Sequence, residues 1–237
     1  MKKTALVILL SLFLLALVLF FLPIQAPFLS KIIEFKINEK LHGNVSIKSS
    51  SITALRRIHV KGLKFTPIKR GVSFSCDEII INYNIPGSLF DLPGKRSFII
   101  VKNMYLENGN SMLSNFSGLL FSKDNPVRPL FEEISLQSFK ADKDIFKNMI
   151  LAKGNQLKLE GTGSETKNGN VIDYNLKIML SGEMADKFRQ AFAMPQPKDQ
   201  GSRDMNILLT IQGQPNGPFV TISCDQLKLN FRITNKK

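Results

Sequence analysis

From Asn44 onward, apolar and polar side chains alternate with a period of two. Val45 and Ile47 alternate with Ser46 and Lys48. Ile58 and Val60, then Leu63 and Phe65, alternate with His59, Lys61, Lys64 and Thr66. Val72, Phe74 and Cys76 share one parity, as do Ile79, Ile81 and Tyr83. Further stretches cover 98–101, 104–106, 134–139, 157–159, 174–180, 207–211, 220–224 and 227–233. Strict alternation of this kind marks strands with one dry and one wet face. Gly, Pro and Asn clusters separate them, among them Pro86-Gly87, Asn108-Gly109 and Asn168-Gly169. Short connections between consecutive strands require antiparallel pairing. Gly161-Thr162-Gly163 reads as a turn within one such hairpin.

Two segments depart from this period. Around 183–193, Met184, Phe188, Ala191 and Phe192 recur at helical spacing, and Pro195 and Pro197 end the pattern. Over 28–42, Phe28, Leu29, Ile32, Ile33, Phe35, Ile37 and Leu41 predict a short amphipathic helix ended by Gly43. The expected fold class is mainly β with an N-terminal transmembrane helix: an antiparallel meander forming a groove or flattened open barrel, with few short helices. Alternation alone leaves open whether the sheet closes into a barrel, stacks as a sandwich or stays an open trough.

The transmembrane part of that expectation rests on residues 5–22, which hold no charge and a single hydroxyl, Ser11. As a helix the run reaches roughly 27 Å, close to the ~30 Å hydrocarbon core of a bilayer. A cleaved signal peptide is the rival reading. Its apolar stretch is usually about 7 to 15 residues and ends in a small-x-small site. Here Ile24 stands where a small residue belongs, and Pro27 follows Ala26. Lys2 and Lys3 flank one end of the run, and no basic residue follows it before Lys31, so the N-terminus is expected to stay cytoplasmic. The expected organisation is a tail at 1–4, an anchor at 5–23, the helix at 28–42 and a β-rich domain at 44–237 beyond the membrane.

Composition adds a basic balance of 32 Lys and Arg against 19 Asp and Glu, a net charge of +13. That suits a polyanionic neighbour, and for an exported domain the neighbour is an anionic membrane surface rather than nucleic acid. The charges are scattered singly along strands, as at Lys61, Lys64, Lys158 and Lys177, which also fits a solvated outer face. Cys76 and Cys224 either pair, closing a long loop for ~4–5 kcal/mol in the loop-entropy model, or remain free thiols.

Chemistry is sparse. His42 and His59 lack metal-like neighbours, and two Cys so far apart do not form a zinc pattern. No phosphate loop, dinucleotide fingerprint or nucleophile elbow is present. Glu132-Glu133 and Asp142 with Asp144 are local pairs rather than two acids facing across a cleft. The expectation is a non-enzymatic protein without catalytic residues, metal or cofactor.

The order of segments resembles the AsmA-like superfamily of bacterial envelope proteins. The resemblance lies in the N-terminal span, the short helix, and Gly43-Asn44-Val45-Ser46-Ile47. It continues through Ile58 to Phe65 in the form Ile-x-Val-x-Gly-Leu-x-Phe, then Ile79 to Tyr83 with Ser88-Leu89-Phe90. Near the other end, Leu157 to Gly163 resembles Leu-x-Leu-x-Gly-x-Gly, and Leu209 to Pro218 resembles the closing Leu-x-Ile-x-Gly-Thr-x-x-x-Pro, with Gln214 departing from it. The chain also resembles the AsmA-like N-component of type II secretion systems.

The resemblance implies a single-pass protein of the bacterial inner membrane with a periplasmic β-rich domain. It would bind or conduct phospholipid or another acyl lipid in an apolar groove for outer-membrane biogenesis. The alternative is a structural accessory subunit of a type II secretion system, with envelope or secretion-machine proteins as partners. The candidate groove-lining residues are Val45, Ile47, Val60, Ile79, Ile81, Tyr83, Leu157, Leu159, Leu176, Ile178, Leu180, Leu209 and Ile211.

Overall fold

Twelve strands follow one another in a single antiparallel sheet, each hydrogen-bonded to its neighbours in sequence. The computed structural model describes residues 24–41, 43–53, 57–68, 73–83, 96–107, 129–142, 144–166, 171–195, 204–214, 217–224 and 227–232. The apolar run 5–22 and His42 lie outside the described residues. Among the described residues, no helix is long and apolar enough to cross a membrane.

The order is β1 (Ile24–Gln25), α1 (Pro27–Leu41), β2 (Gly43–Thr53), β3 (Arg57–Pro67), β4 (Ser73–Tyr83), β5 (Arg96–Glu107), β6 (Phe131–Asp142), β7 (Ile145–Lys153), β8 (Leu157–Thr166), β9 (Ile172–Leu180), α2 (Gly182–Ala191), β10 (Met205–Gly213), β11 (Phe219–Cys224) and β12 (Leu227–Arg232). Among the described residues, β1 pairs only with β2, and β12 only with β11. The meander is therefore an open antiparallel sheet that does not close into a barrel.

Two helices lie on the dry face. Ile33 and Ile37 of α1 pack on a cluster of Val45, Val60, Leu63, Phe65 and Cys76. Met184 and Phe188 of α2 pack on a second cluster of Leu157, Leu180, Ala185 and Ile207. Ala191, expected on the packed side of that helix, is exposed, whereas Arg189 is buried. The Arg189 guanidinium reaches the Asp186 carboxylate at 3.2 Å and the Asp204 carbonyl at 3.1 Å, tying the end of α2 to the start of β10.

Helix α1 also shields a sheet edge. The Asn38 Oδ1 accepts the Val45 N–H at 2.8 Å, and the Glu34 Oε1 accepts the Ile47 N–H at 2.9 Å. Edge groups left unpaired would otherwise template pairing with other chains.

In β2 to β6 the ladder skips one residue per strand at the same level: Lys48, Gly62, Asp77, Asn103 and Glu132. Gly62 (φ 62°) and Asn103 (φ 51°) take the left-handed conformation there, and Asn103 Nδ2 donates to Asp77 Oδ2 at 2.9 Å. A Cβ on Gly62 would meet Lys48 Cβ at 2.9 Å. This crease shifts the apolar parity by one residue. Val60 and Leu63, three positions apart, thereby reach the same core cluster.

Cys76 on β4 and Cys224 on β11 are both free and stand seven strands apart in the sheet order. The disulfide alternative is closed. Burial first, and the neighbouring Asp77 second, push the Cys76 thiol up to about 11, against a hydrogen bond with the Leu63 backbone that lowers it. Cys224 is half-buried. At about pH 8 the native protein is expected to present one readily modified thiol, at Cys224, with Cys76 reacting only on unfolding. Thiol titration with and without denaturant measures this; rapid modification of both in the native state would contradict it.

Candidate functional site

In an antiparallel ladder, directly opposed residues share a face, so the register can be followed across the sheet. One line runs Ile24, Ile52, Ile58, Ile81, Ile99 and Leu136, strand by strand from β1 to β6. It continues through Ile150, Gly161, Leu176, Leu209, Ile222 and Leu229, from β7 to β12. Every strand contributes, and only Gly161 lacks an aliphatic side chain. Every residue of the line is half-buried from β2 to β11 and exposed at its ends, Ile24 and Leu229. At ~4.8 Å per strand the line is about 53 Å long.

A parallel line two residues away holds Val60, Ile79, Val101, Ile134, Ala152, Leu159, Ile178 and Ile207, with Ser50 at its β2 end. On the other side, Ser97, Ser138, Asn148, Gly163, Tyr174, Ile211 and Val220 form a more polar margin, which Tyr83 joins by register. There the Asn148 Nδ2 donates to the Tyr174 hydroxyl at 2.7 Å. The two residues lie on β7 and β9, with β8 between them. The bond spans β8 because Gly163 has no side chain: a Cβ there would sit 2.0 Å from the Tyr174 ring. Burial raises the Tyr174 pKa above its ordinary value, opposed by the Asn148 hydrogen bond and reinforced by Glu165.

All thirteen residues proposed from spacing thus lie on one face. They do not play one part. Val45, Val60, Leu157 and Leu180 are buried in the two core clusters, so they pack the fold rather than line an open surface. Ile47, Ile79, Leu159 and Ile178 are half-buried beside them. Only Ile81, Leu176 and Leu209 belong to the central line. Spacing missed Ile24, Ile52, Ile58, Ile99, Leu136, Ile150, Ile222 and Leu229. Ile52, Ile58, Leu136, Ile222 and Leu229 follow from extending the alternation across the hairpin registers; Ile99 and Ile150 stand in strands with apolar residues on both parities, and Ile24 in a two-residue strand.

The opposite face is charged. Lys61, Glu78, Lys102, Glu133 and Lys153 stand opposite one another on successive strands with alternating sign. Glu78 meets Lys102 Nζ at 3.1 Å and His59 Nδ1 at 3.2 Å. Burial alone would raise its pKa, but the hydrogen bonds and charges of His59 and Lys102 outweigh burial and leave it below the ordinary carboxylate value. A carboxylate lowered in this way contributes stability above its unfolded pKa of ~4.3, and the contribution is lost as pH falls through the folded value. Glu78→Gln is therefore expected to flatten the loss of stability between about pH 6 and about pH 3, read from urea midpoints. An unchanged acid limb in the variant would refute this.

Among the described residues no three of His, Cys, Asp and Glu come together to hold a metal ion. A shallow recess of about 360 Å³ touches Phe139, Lys147, Met149, Thr162 and Asp173, mostly of the polar-face parity. Its only acid is Asp173, bonded to Gln212 Nε2 at 3.2 Å. Comparison with protein-family models, curated proteins and solved structures finds no match.

Proposed function

We propose that this protein is a membrane-anchored, non-enzymatic envelope protein that holds the acyl chains of lipids along the aliphatic line of its sheet. The observation that carries the reading is the line itself, with aliphatic side chains from eleven of twelve strands, none fully buried. A half-exposed aliphatic surface gains by leaving water, at ~25 cal/mol per Å². An acyl chain filling one leaflet spans about half of the ~30 Å hydrocarbon core. A line of about 53 Å holds roughly three such chains end to end. The AsmA-like resemblance points the same way, and residues 5–22 would tether the sheet to the inner membrane that supplies the lipid.

Lipid extraction and native mass spectrometry of the full chain, purified in mild detergent, test the reading. Phospholipid is expected to co-purify. Leu136→Asn with Ile150→Asn, at the middle of the line, should lower its occupancy roughly tenfold, equivalent to ~1.4 kcal/mol. A chain that is free of lipid and unable to take it up sinks the proposal.

A second reading, an accessory subunit of a type II secretion system, draws on β12. Its outer edge has no neighbouring strand among the described residues, and an open edge can accept a partner's strand. Cross-linking in cells from residues of β12 to a stoichiometric secretion component would favour it.

A further inference from the structure

Helix α1 is apolar on two sides, where sequence spacing predicts one. Ile33 and Ile37 face the sheet. Phe28, Ile32 and Phe35 face away, 62%, 52% and 63% exposed. Their i, i+4, i+7 spacing forms one stripe along the helix. Lys31 and Lys36 flank it, the latter with its Nζ 5.7 Å from the Phe35 ring centroid. The helix carries three lysines, Lys31, Lys36 and Lys40, against Glu34 and Glu39. Lys31 pairs with Glu34 and Lys36 with Glu39, each at 3.2 Å, and Glu34 also accepts the Ile47 N–H at 2.9 Å; the outer lysines would exchange these partners for lipid phosphate.

The position of this stripe is fixed by the chain before it. Only Pro23 separates the apolar run 5–22 from Ile24 and Gln25, which pair with Ile52 and Ser51 of β2. Ala26 is 2% exposed. Its N–H donates to the Ser50 carbonyl at 3.0 Å, and its carbonyl accepts the Ser50 hydroxyl at 2.7 Å. Ser30 and Ser50 hydroxyls meet at 2.7 Å. There is no slack linker between the run and the sheet. At ~3.4 Å per residue, α1 begins within about 17 Å of the end of the run.

We propose that α1 lies in the headgroup layer of an anionic phospholipid bilayer, with Phe28, Ile32 and Phe35 inserted and Lys31 and Lys36 on phosphate. Apolar insertion and basic charge are the two signals that hold a helix at such a surface. The Ile24 end of the aliphatic line then opens at the membrane. The inference rests on the anchored reading above for the insertion of residues 5–22.

The test uses the full chain in vesicles of phosphatidylglycerol and phosphatidylethanolamine whose acyl chains are brominated near the headgroup. Cys224→Ser with Ile32→Cys gives one reactive site for bimane, since Cys76 is buried; Lys61→Cys on the polar face is the control. Bimane at position 32 is expected to be quenched at least roughly twofold, with less quenching when the anionic lipid is omitted, and the control to be unaffected. An unquenched label at position 32 in a chain that resists alkaline carbonate overturns this proposal alone. Cross-linking of two chains through position 32 would assign the stripe to a second copy and also overturn it. Release of the chain by carbonate, or a purified mass beginning at Pro27, overturns the anchored reading and this inference with it.

Discussion

Gly163→Ala is expected to destabilise the protein by about 2–4 kcal/mol, the reverse of what the same change does in an ordinary strand. Elsewhere, exchanging a strand-interior glycine for alanine adds about 0.5–1 kcal/mol of stability by limiting the unfolded chain. At Gly163 the new Cβ would lie 2.0 Å from Tyr174 Cδ1 and 2.3 Å from Cε1. The ring must move off β8, and its hydroxyl then leaves Asn148, which is 4% exposed. A buried amide without its partner costs about 1–3 kcal/mol, and the overpacking costs a similar amount. Tyr174→Phe separates the two, because it removes the hydrogen bond and keeps the ring. In Gly163→Ala with Tyr174→Ala, the coupling should be large and favourable, since the clash has no second partner. Urea unfolding of the wild type, Gly163→Ala, Tyr174→Ala and the double variant measures the cycle. Additive effects would show that the ring does not lie over Gly163.

Val60→Asp is expected to abolish stable folding, with a cost above about 4 kcal/mol. Val60 is the largest fully buried side chain among the described residues, at 2% exposure. It stands between Ser50 and Ile79 in the ladder, inside the cluster that α1 packs against. The cluster around it is made of Val45, Leu63, Phe65 and Cys76, none of which offers a positive charge to a carboxylate. Val60→Ala removes only the methyl groups and should cost about 1–2.5 kcal/mol. Limited proteolysis and urea midpoints distinguish the outcomes. An Asp variant as stable as the Ala variant would mean that the cluster is open to water.

The strand-rich class, both helices and the one-sided dryness of the sheet were legible because alternation is enforced wherever one face packs and the other meets water. Strand β7 was not. Ile145, Phe146, Met149, Ile150 and Leu151 put apolar side chains on both parities, and Ile145 and Met149 end up exposed. Gly161 and Gly163 suggested a turn, whereas both lie inside β8. They serve neighbouring strands, which put the Leu176 and Tyr174 side chains into the space. The step from Val60 to Leu63 did show in the sequence as a change of parity, and the crease at Gly62 is its cause. What local spacing could not supply was the division of one apolar face into core and half-exposed line. That depends on where α1 and α2 lie across the sheet.

Because each strand pairs only with its neighbours in sequence, the molecule is a one-dimensional array of hairpins. Stability in such an array is a sum over adjacent pairs, as in repeat proteins, and no distant strand must arrive before its neighbours can form. Its length is then a free evolutionary variable. Adding or deleting one hairpin between two others would change the line by about 10 Å and leave the remaining pairings intact. A chain built this way can be lengthened hairpin by hairpin without redesign of either end.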